Sequence, residues 1–122
     1  MRFTQDSGSA LYLIRGYGAG EIKINDQSYR GAVLVSGNFL KHEPDIHSLE
    51  ALLKVDAGNL LKLNPELVLL GTGARQEFPP PEYGAQFLKA GVGFEVMDTG
   101  AACRTYNVLI AEQRRAAAWL LA

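Results

Sequence analysis

The chain has 122 residues, of which 48% are apolar and 20% charged, with a formal net charge of -1. This length suits one domain that buries roughly two-thirds of the surface its unfolded form exposes, so we expect residues 1–122 to form a single α/β domain. The balanced charge excludes a global field that would attract nucleic acid or anionic lipid, and no apolar run approaches the roughly 20 residues of a membrane span.

The first third of the chain has the pattern of antiparallel strands. Ala10–Ile14 is a β-rich apolar run that predicts a first strand, and the glycine-rich segment after it predicts a mobile connection. Glu21–Asn25 alternates polar and apolar residues, which predicts a half-exposed strand with Ile22 and Ile24 in the core. Turn residues then lead into Ala32–Val35, so we expect an N-terminal β-meander.

The middle of the chain changes from strands to an alternation of helix and strand. Lys41–Asp45 is polar and predicts a solvated loop, after which Ser48 is placed to cap a short helix. Leu67–Leu70 is a continuous apolar run, as in strands buried on both faces. Pro81 suits the first position of a further helix, and Gly91 is placed to end it.

The last third predicts two strands and the longest helix. Phe94–Met97 and Ala116–Leu121 read as strands, and Thr99 is placed to cap the helix between them. The apolar stripe of that helix comprises Ala102, Tyr106, Leu109 and Ile110. The predicted fold is a layered α/β domain, an N-terminal β-meander followed by β-α-β-α-β, with a mixed central sheet flanked by helices.

Leu69–Gly73 and Gly91–Thr99, followed by Ala102 and Tyr106-Asn107, form an ordered pattern over nearly fifty residues. It resembles a small α/β domain family that includes the mitochondrial respiratory complex I assembly factor 3, the adipogenesis-associated domain protein and uncharacterised bacterial proteins. The opening residues extend the resemblance more weakly, at Tyr17, Gly20–Asn25 and Tyr29.

The resemblance implies a layered fold around a mixed sheet and supplies no catalytic residues. One position departs from the family pattern, because Gln113 stands where relatives usually have glycine. If this position has left-handed backbone geometry, glutamine costs on the order of 1 kcal/mol more than glycine.

Two strand-to-helix turns are the best candidate for a ligand site. Gly71-Thr72-Gly73 and Asp98-Thr99-Gly100 would share an edge of the sheet if the preceding strands are parallel neighbours. Arg75 would add donors for an anion. The alternative, which we favour, is that the glycines permit tight turns and Thr99 only caps its helix.

Cys103 is the single candidate for a reactive thiol, since it follows the start of the longest helix, where the helix dipole lowers a thiol pKa. The favoured alternative is an inert thiol packed in the core. Asn107 has two interpretations: it contacts a substrate, or it satisfies the hydrogen bonds of a neighbouring loop, which is the interpretation we favour. The metal-capable residues His42–His47 match no metal-binding spacing and predict a solvated loop.

We therefore expect a non-catalytic binding or assembly-factor-like protein, linked by its resemblance to respiratory complex assembly, with a protein partner and no cofactor, metal or nucleic acid. The alternative is a small protein or enzyme that binds an anionic metabolite between the two turns. Residues 1–9 lack the pattern of an export or mitochondrial leader, and the expected location is the cytoplasm. Self-association through an edge strand is left open.

Overall fold

The computed structural model describes residues 11–122, which form eight strands and four helices. In chain order these are β1 (Ile14–Gly18), β2 (Glu21–Ile24), β3 (Gln27–Tyr29), β4 (Ala32–Ser36), β5 (Phe39–Glu43), α1 (Leu49–Leu53), α2 (Gly58–Leu61), β6 (Leu67–Gly71), α3 (Pro81–Lys89), β7 (Gly93–Met97), α4 (Thr99–Ala111) and β8 (Ala116–Leu121).

The strands form two sheets. The first three make a small antiparallel sheet in the order β1-β2-β3, and the other five make a mixed sheet in the order β5-β4-β8-β6-β7. Strand β4 is antiparallel to β5 and β8, whereas β6 is parallel to both β7 and β8. The predicted α/β fold, a meander followed by β-α-β-α-β around a mixed sheet, is confirmed.

Each face of the five-stranded sheet carries its own core. On one face, α4 and the small sheet bury residues that include Ile22, Ile24 and Tyr106, and on the other α1, α2 and α3 bury residues that include Leu52 and Phe87. Central strand β8 is buried at all six residues, which explains its wholly apolar sequence. The predicted stripe of α4 is confirmed, with Ala102, Tyr106, Leu109 and Ile110 all buried.

The first strand lies further along the chain than its apolar run indicated. Ala10 is outside the described residues, and the strand includes Gly16 and Gly18, which were expected to belong to a mobile connection. It pairs with β2 up to Gly18 and Glu21, and Ala19 and Gly20 make the turn with φ of 52° and 75°. The prediction was wrong because backbone pairing to β2, which needs no side chain, holds these glycines in the ladder.

Strand β5 was also missed, because Lys41–Asp45 was expected to be a loop. Val33 and Val35 of β4 pair with His42 and Leu40, so most of this segment belongs to the sheet. It is polar because β5 is one of the two edge strands of the sheet, where charged residues are common.

The helix starts confirm two predictions and correct a third. Ser48 accepts a hydrogen bond from the Ala51 N–H at 3.1 Å, and Pro81 is the first residue of α3, both as expected. The cap of α4, however, is Asp98, whose Oδ1 accepts from the Ala101 N–H at 2.9 Å. Thr99 is the first helical residue, and its hydroxyl serves another purpose, described below.

None of the helices within residues 11–122 is long and apolar enough to cross a lipid bilayer.

Candidate functional site

The two turns singled out in the sequence lie at one edge of the large sheet, which we call the turn edge (residues 71–75 and 98–100). Leu67 to Gly71 of β6 run parallel to Gly93 to Met97 of β7 in direct register. The Thr99 N–H donates to the Gly73 carbonyl at 2.8 Å, which joins the two turns. The parallel pairing on which the predicted pocket depends is therefore present.

The threonine hydroxyls of the turn edge bind other parts of the protein. The Thr99 hydroxyl is completely buried; it donates to the Leu121 carbonyl at 2.6 Å and accepts from the Gly73 N–H at 2.7 Å. The Thr72 hydroxyl donates to the Arg75 carbonyl at 2.6 Å and accepts from the Glu77 N–H at 3.1 Å. These bonds fasten the turns to each other and to β8.

Arg75 is the polar side chain of the turn edge that points most freely to solvent. Its residue is exposed, and its guanidinium takes part in none of the ion pairs found within residues 11–122. The carboxylate of Asp98 caps α4, as described above. A ligand role for Gly71, Thr72, Gly73, Arg75, Asp98 and Thr99 stays a prediction, and in the structure Arg75 is the member best placed to serve it.

Cys103 is buried, with 5% of its surface exposed. Burial raises the pKa of its thiol to about 12, and nearby Asp98 adds to the rise while Arg104 opposes it. The thiol is therefore protonated at neutral pH, the state in which cysteine is a poor nucleophile. This geometry favours the inert alternative; reactivity itself stays a prediction.

Asn107 serves a structural purpose, as the favoured interpretation held. Its Nδ2 donates to the Ile14 carbonyl at 2.7 Å, and its Oδ1 accepts from the Ile14 N–H at 2.9 Å. The side chain thus pairs with β1 at the point where the register shifts between Ile14 and Gly16. It satisfies backbone groups that the irregular strand leaves unpaired.

The segment from His42 to His47 does not gather into a metal site. Across residues 11–122, no group of three or more histidine, cysteine or acidic side chains is arranged to hold a metal ion. His42 instead packs its ring against Tyr29, with centroids 4.9 Å apart, and its Nε2 lies 2.7 Å from the Arg30 carbonyl oxygen.

The sequence did not reveal an open cleft of about 800 Å³ between α1 and α3. We call it the acidic cleft. Its apolar lining residues are Leu49, Leu53, Phe78, Pro79, Pro80 and Tyr83. Its polar lining residues are Glu50, Lys54, Glu77, Glu82 and Gln86.

A second, smaller groove of about 390 Å³ lies on the other side of the proline segment. Phe78 and Pro79–Pro80 line both depressions, and Leu88 and Phe94 line only the second. Phe78 is 75% exposed and Leu88 68% exposed. Large apolar side chains at this exposure, side by side, are typical of binding surfaces.

A packed aromatic cluster lies next to both depressions, with Tyr83 lining the first and Phe94 lining the second. Phe87 stacks on Phe94 with centroids 5.0 Å apart, and Tyr83 meets both rings edge-on. Gly84 makes this packing possible, because a Cβ there would lie 2.9 Å from the Phe94 ring.

The hydroxyl of Tyr83 is a buried polar group without a hydrogen-bond partner among the described residues, and so is the Trp119 indole N–H. Burial raises the pKa of Tyr83 to about 12, and the adjacent Trp119 N–H, outside hydrogen-bond geometry, offsets part of the rise.

The sequence held one signal of this surface, a phenylalanine directly before three prolines. Pro80 has φ of -54° and ψ of 144°, which is an extended polyproline conformation. Phe78 lies just before it, in no helix or strand. The position of α1 across from this segment depends on tertiary packing, which no local pattern encodes.

Comparison with known proteins agrees with this architecture. Fold and site define a small layered α/β protein with an exposed apolar cleft and no recognised catalytic group among the described residues. Residues 14–121 match the family described as "Protein of unknown function (DUF498/DUF598)", and the chain belongs to this family.

Its relatives carry different names. The chain is 30% identical to the 13 kDa major membrane protein of Francisella tularensis subsp. holarctica, over 93% of this chain and 94% of that protein. It is 33% identical to NADH dehydrogenase (ubiquinone) 1 alpha subcomplex assembly factor 3 of Danio rerio, over 96% of this chain and 68% of that protein.

A solved structure extends the comparison. The crystal structure of a Bordetella parapertussis protein is 35% identical to the chain, with a TM-score of 0.79 over 93% of this chain and 97% of that one. The fold is therefore shared over nearly the full length of both.

Proposed function

We propose that this protein is a non-catalytic, cytoplasmic binding protein of the assembly-factor kind, which holds a protein partner on the surface formed by Phe78 and Leu88. The observation that carries the proposal is the exposure of these two side chains beside the open, largely apolar lining of the acidic cleft. The zebrafish relative, which is named as an assembly factor, supports the same class of function. We extend the proposal to assembly of a respiratory complex.

A crosslinking pull-down tests partner binding. Tagged wild-type protein is expressed in its own cells and compared with Phe78→Ser, and with Val108→Ser as the matched control, since Val108 is 57% exposed on α4. We expect a defined set of proteins to be captured by wild type and the control and lost from Phe78→Ser. Capture of nothing above background by wild type would contradict the proposal.

Loss of the gene tests the assembly role. Native electrophoresis of membranes from a deletion strain is expected to show less fully assembled NADH dehydrogenase, restored by the wild-type gene. Normal amounts of the complex in the deletion strain would refute the respiratory part of the proposal and leave partner binding to be judged by the pull-down.

A second candidate function is the binding of a small anion at the turn edge. The hydrogen bond from Thr99 to Gly73, which brings the two turns together next to exposed Arg75, favours it. If this function is correct, inorganic phosphate or nucleotides raise the melting temperature of wild type saturably, and Arg75→Ala abolishes the rise. A melting temperature of wild type that does not change with added phosphate or nucleotide would exclude this function.

A further inference from the structure

We infer that the acidic cleft binds a basic, amphipathic segment of the protein partner, with apolar side chains on its floor and Lys or Arg facing its carboxylates. The inference deepens the proposed function and rests on it, because it names the chemistry of the partner that the binding surface would accept.

The apolar part of the cleft provides the anchor. Phe78 is a large aromatic side chain with three-quarters of its surface in water. Tyr83, which also lines the cleft, packs edge-on against Phe87 and Phe94. Aromatic anchors in preformed depressions dominate binding because little conformational freedom remains to be lost on association.

The charge around the cleft specifies the occupant. Glu50, Glu77 and Glu82 surround it with a single base, Lys54. None of these four side chains takes part in an ion pair found within residues 11–122. The three carboxylates are therefore available to a cationic partner, which they would attract during encounter and align on docking.

Helix stability accounts for only part of this charge. Glu50 and Glu82 lie in the first turns of α1 and α3, where a carboxylate favours the helix N-terminus. Glu77 lies in no helix, yet it faces the same cleft. The acidic character of the cleft thus exceeds what the two helices require.

The shape of the cleft suits a peptide segment. Two helices and the segment Phe78–Pro80 line it, and it is open to solvent. Proline fixes the backbone of this segment, so the depression exists before a partner arrives. Grooves of this kind accept an amphipathic segment through a row of apolar side chains.

The same charge argues against other occupants. A second copy docked face to face across a two-fold axis would bring Glu50, Glu77 and Glu82 near the same residues of its partner, and like charges repel. Nucleic acid and anionic lipid are disfavoured for the same reason. A cationic protein segment meets both the apolar and the charged requirements.

A peptide selection tests the inference without a known partner. A phage-displayed library of random peptides is selected on the wild-type protein, with counter-selection on Phe78→Ser. Selected peptides are expected to be enriched in Lys and Arg and to carry apolar residues at regular spacing. Their synthetic forms are then titrated by fluorescence anisotropy.

The variants separate the apolar from the ionic contribution. We expect Phe78→Ser to raise the Kd of a selected peptide by about tenfold or more, as for a binding hot spot. The triple change Glu50→Gln, Glu77→Gln, Glu82→Gln is expected to raise Kd and to flatten its dependence on salt. Controls are Val108→Ser and the pair Glu95→Gln, Glu112→Gln, exposed residues that do not line the cleft, which should leave Kd unchanged.

Each other outcome overturns the inference. Selected peptides that are acidic or uncharged, or an absence of binders, would exclude a cationic occupant. Self-association in sedimentation that Phe78→Ser abolishes would assign the cleft to a second copy. If the pull-down partner is captured equally by the triple glutamine variant and by wild type, partner binding stands and the site assigned to it here is wrong.

Discussion

The turn edge and the acidic cleft differ in what their polar and apolar groups already contact. At the turn edge the Thr72 and Thr99 hydroxyls and the Gly73 N–H all bond within the protein. At the acidic cleft a phenylalanine and three carboxylates contact mainly solvent. Groups that bond within the protein stabilise the fold, whereas groups that face solvent are available to bind a partner.

The difference is instructive because sequence patterns drew attention to the turn edge. Glycines and threonines between strand and helix are conspicuous, yet here they join two turns and a neighbouring strand. Substitutions of the internally bonded groups at the turn edge should therefore affect stability, and substitutions of the exposed residues at the cleft should affect binding with little effect on stability.

The largest effect is expected for Gly71→Ala at the turn edge. The new Cβ would lie 2.9 Å from Leu120 Cδ2 and 3.2 Å from Thr99 Cα, and both of these residues are fully buried. We expect the free energy of unfolding to fall by about 2–3 kcal/mol in urea denaturation. The control Gly16→Ala, with nothing within 4 Å of its Cβ, should be neutral or stabilising; equal losses in both would contradict this account.

A somewhat smaller loss is expected for Thr99→Val. The change keeps the side-chain shape but leaves the Leu121 carbonyl and the Gly73 N–H without their buried partner. Unfolding free energy should fall by about 2 kcal/mol, and Thr99→Ser should recover much of it because the hydroxyl returns. If valine and serine are equally stable, the hydroxyl is not what joins these elements.

High pH is expected to destabilise the fold, because three buried side chains keep their protons in the folded state. Burial raises the pKa of Cys103, Tyr83 and Tyr106 to about 12, from ordinary values of 9.0 for cysteine and 10.0 for tyrosine. Above the ordinary values the unfolded chain loses protons that the folded chain keeps. The stability that these three groups contribute is therefore fully present below about pH 9 and is lost as pH rises toward 12.

Urea denaturation between about pH 8 and 11 measures this loss, with each group contributing about 1.4 kcal/mol per pH unit within its window. Cys103→Ala should flatten the decline between pH 9 and 10, where cysteine titrates before tyrosine in the unfolded chain. An unchanged slope would mean that the pKa of Cys103 is the same in the folded and unfolded protein, which contradicts a raised pKa in the fold.

The smallest effect on stability is expected for Phe78→Ser at the cleft. Its side chain is mostly in water, so the free energy of unfolding should change by less than about 0.5 kcal/mol. Thermal and urea denaturation measure this directly. A large loss would show that Phe78 is part of the core and would remove the distinction between the two regions.

Much of the fold was predictable because its patterns are local. The runs Leu67–Leu70 and Ala116–Leu121 are apolar because both strands are covered on both faces, and the stripe of α4 follows helical spacing. Strand β1 and strand β5 were misjudged because glycine and charged residues hide a backbone ladder that depends on a distant or neighbouring strand. At Gln113 the left-handed backbone geometry considered from the sequence is present, with φ of 62°, although the residue is not glycine.

The sequence by itself determined the class of fold, the buried strands, the amphipathic helix and the family, because periodicity and ordered motifs act over short distances. Only the tertiary structure decided that the Thr99 hydroxyl donates to the Leu121 carbonyl and that Phe78 lines a cleft together with three carboxylates. Hydrogen-bond partners and exposure depend on segments far apart in the chain. They are set by how the layers pack, and a local pattern carries no record of that packing.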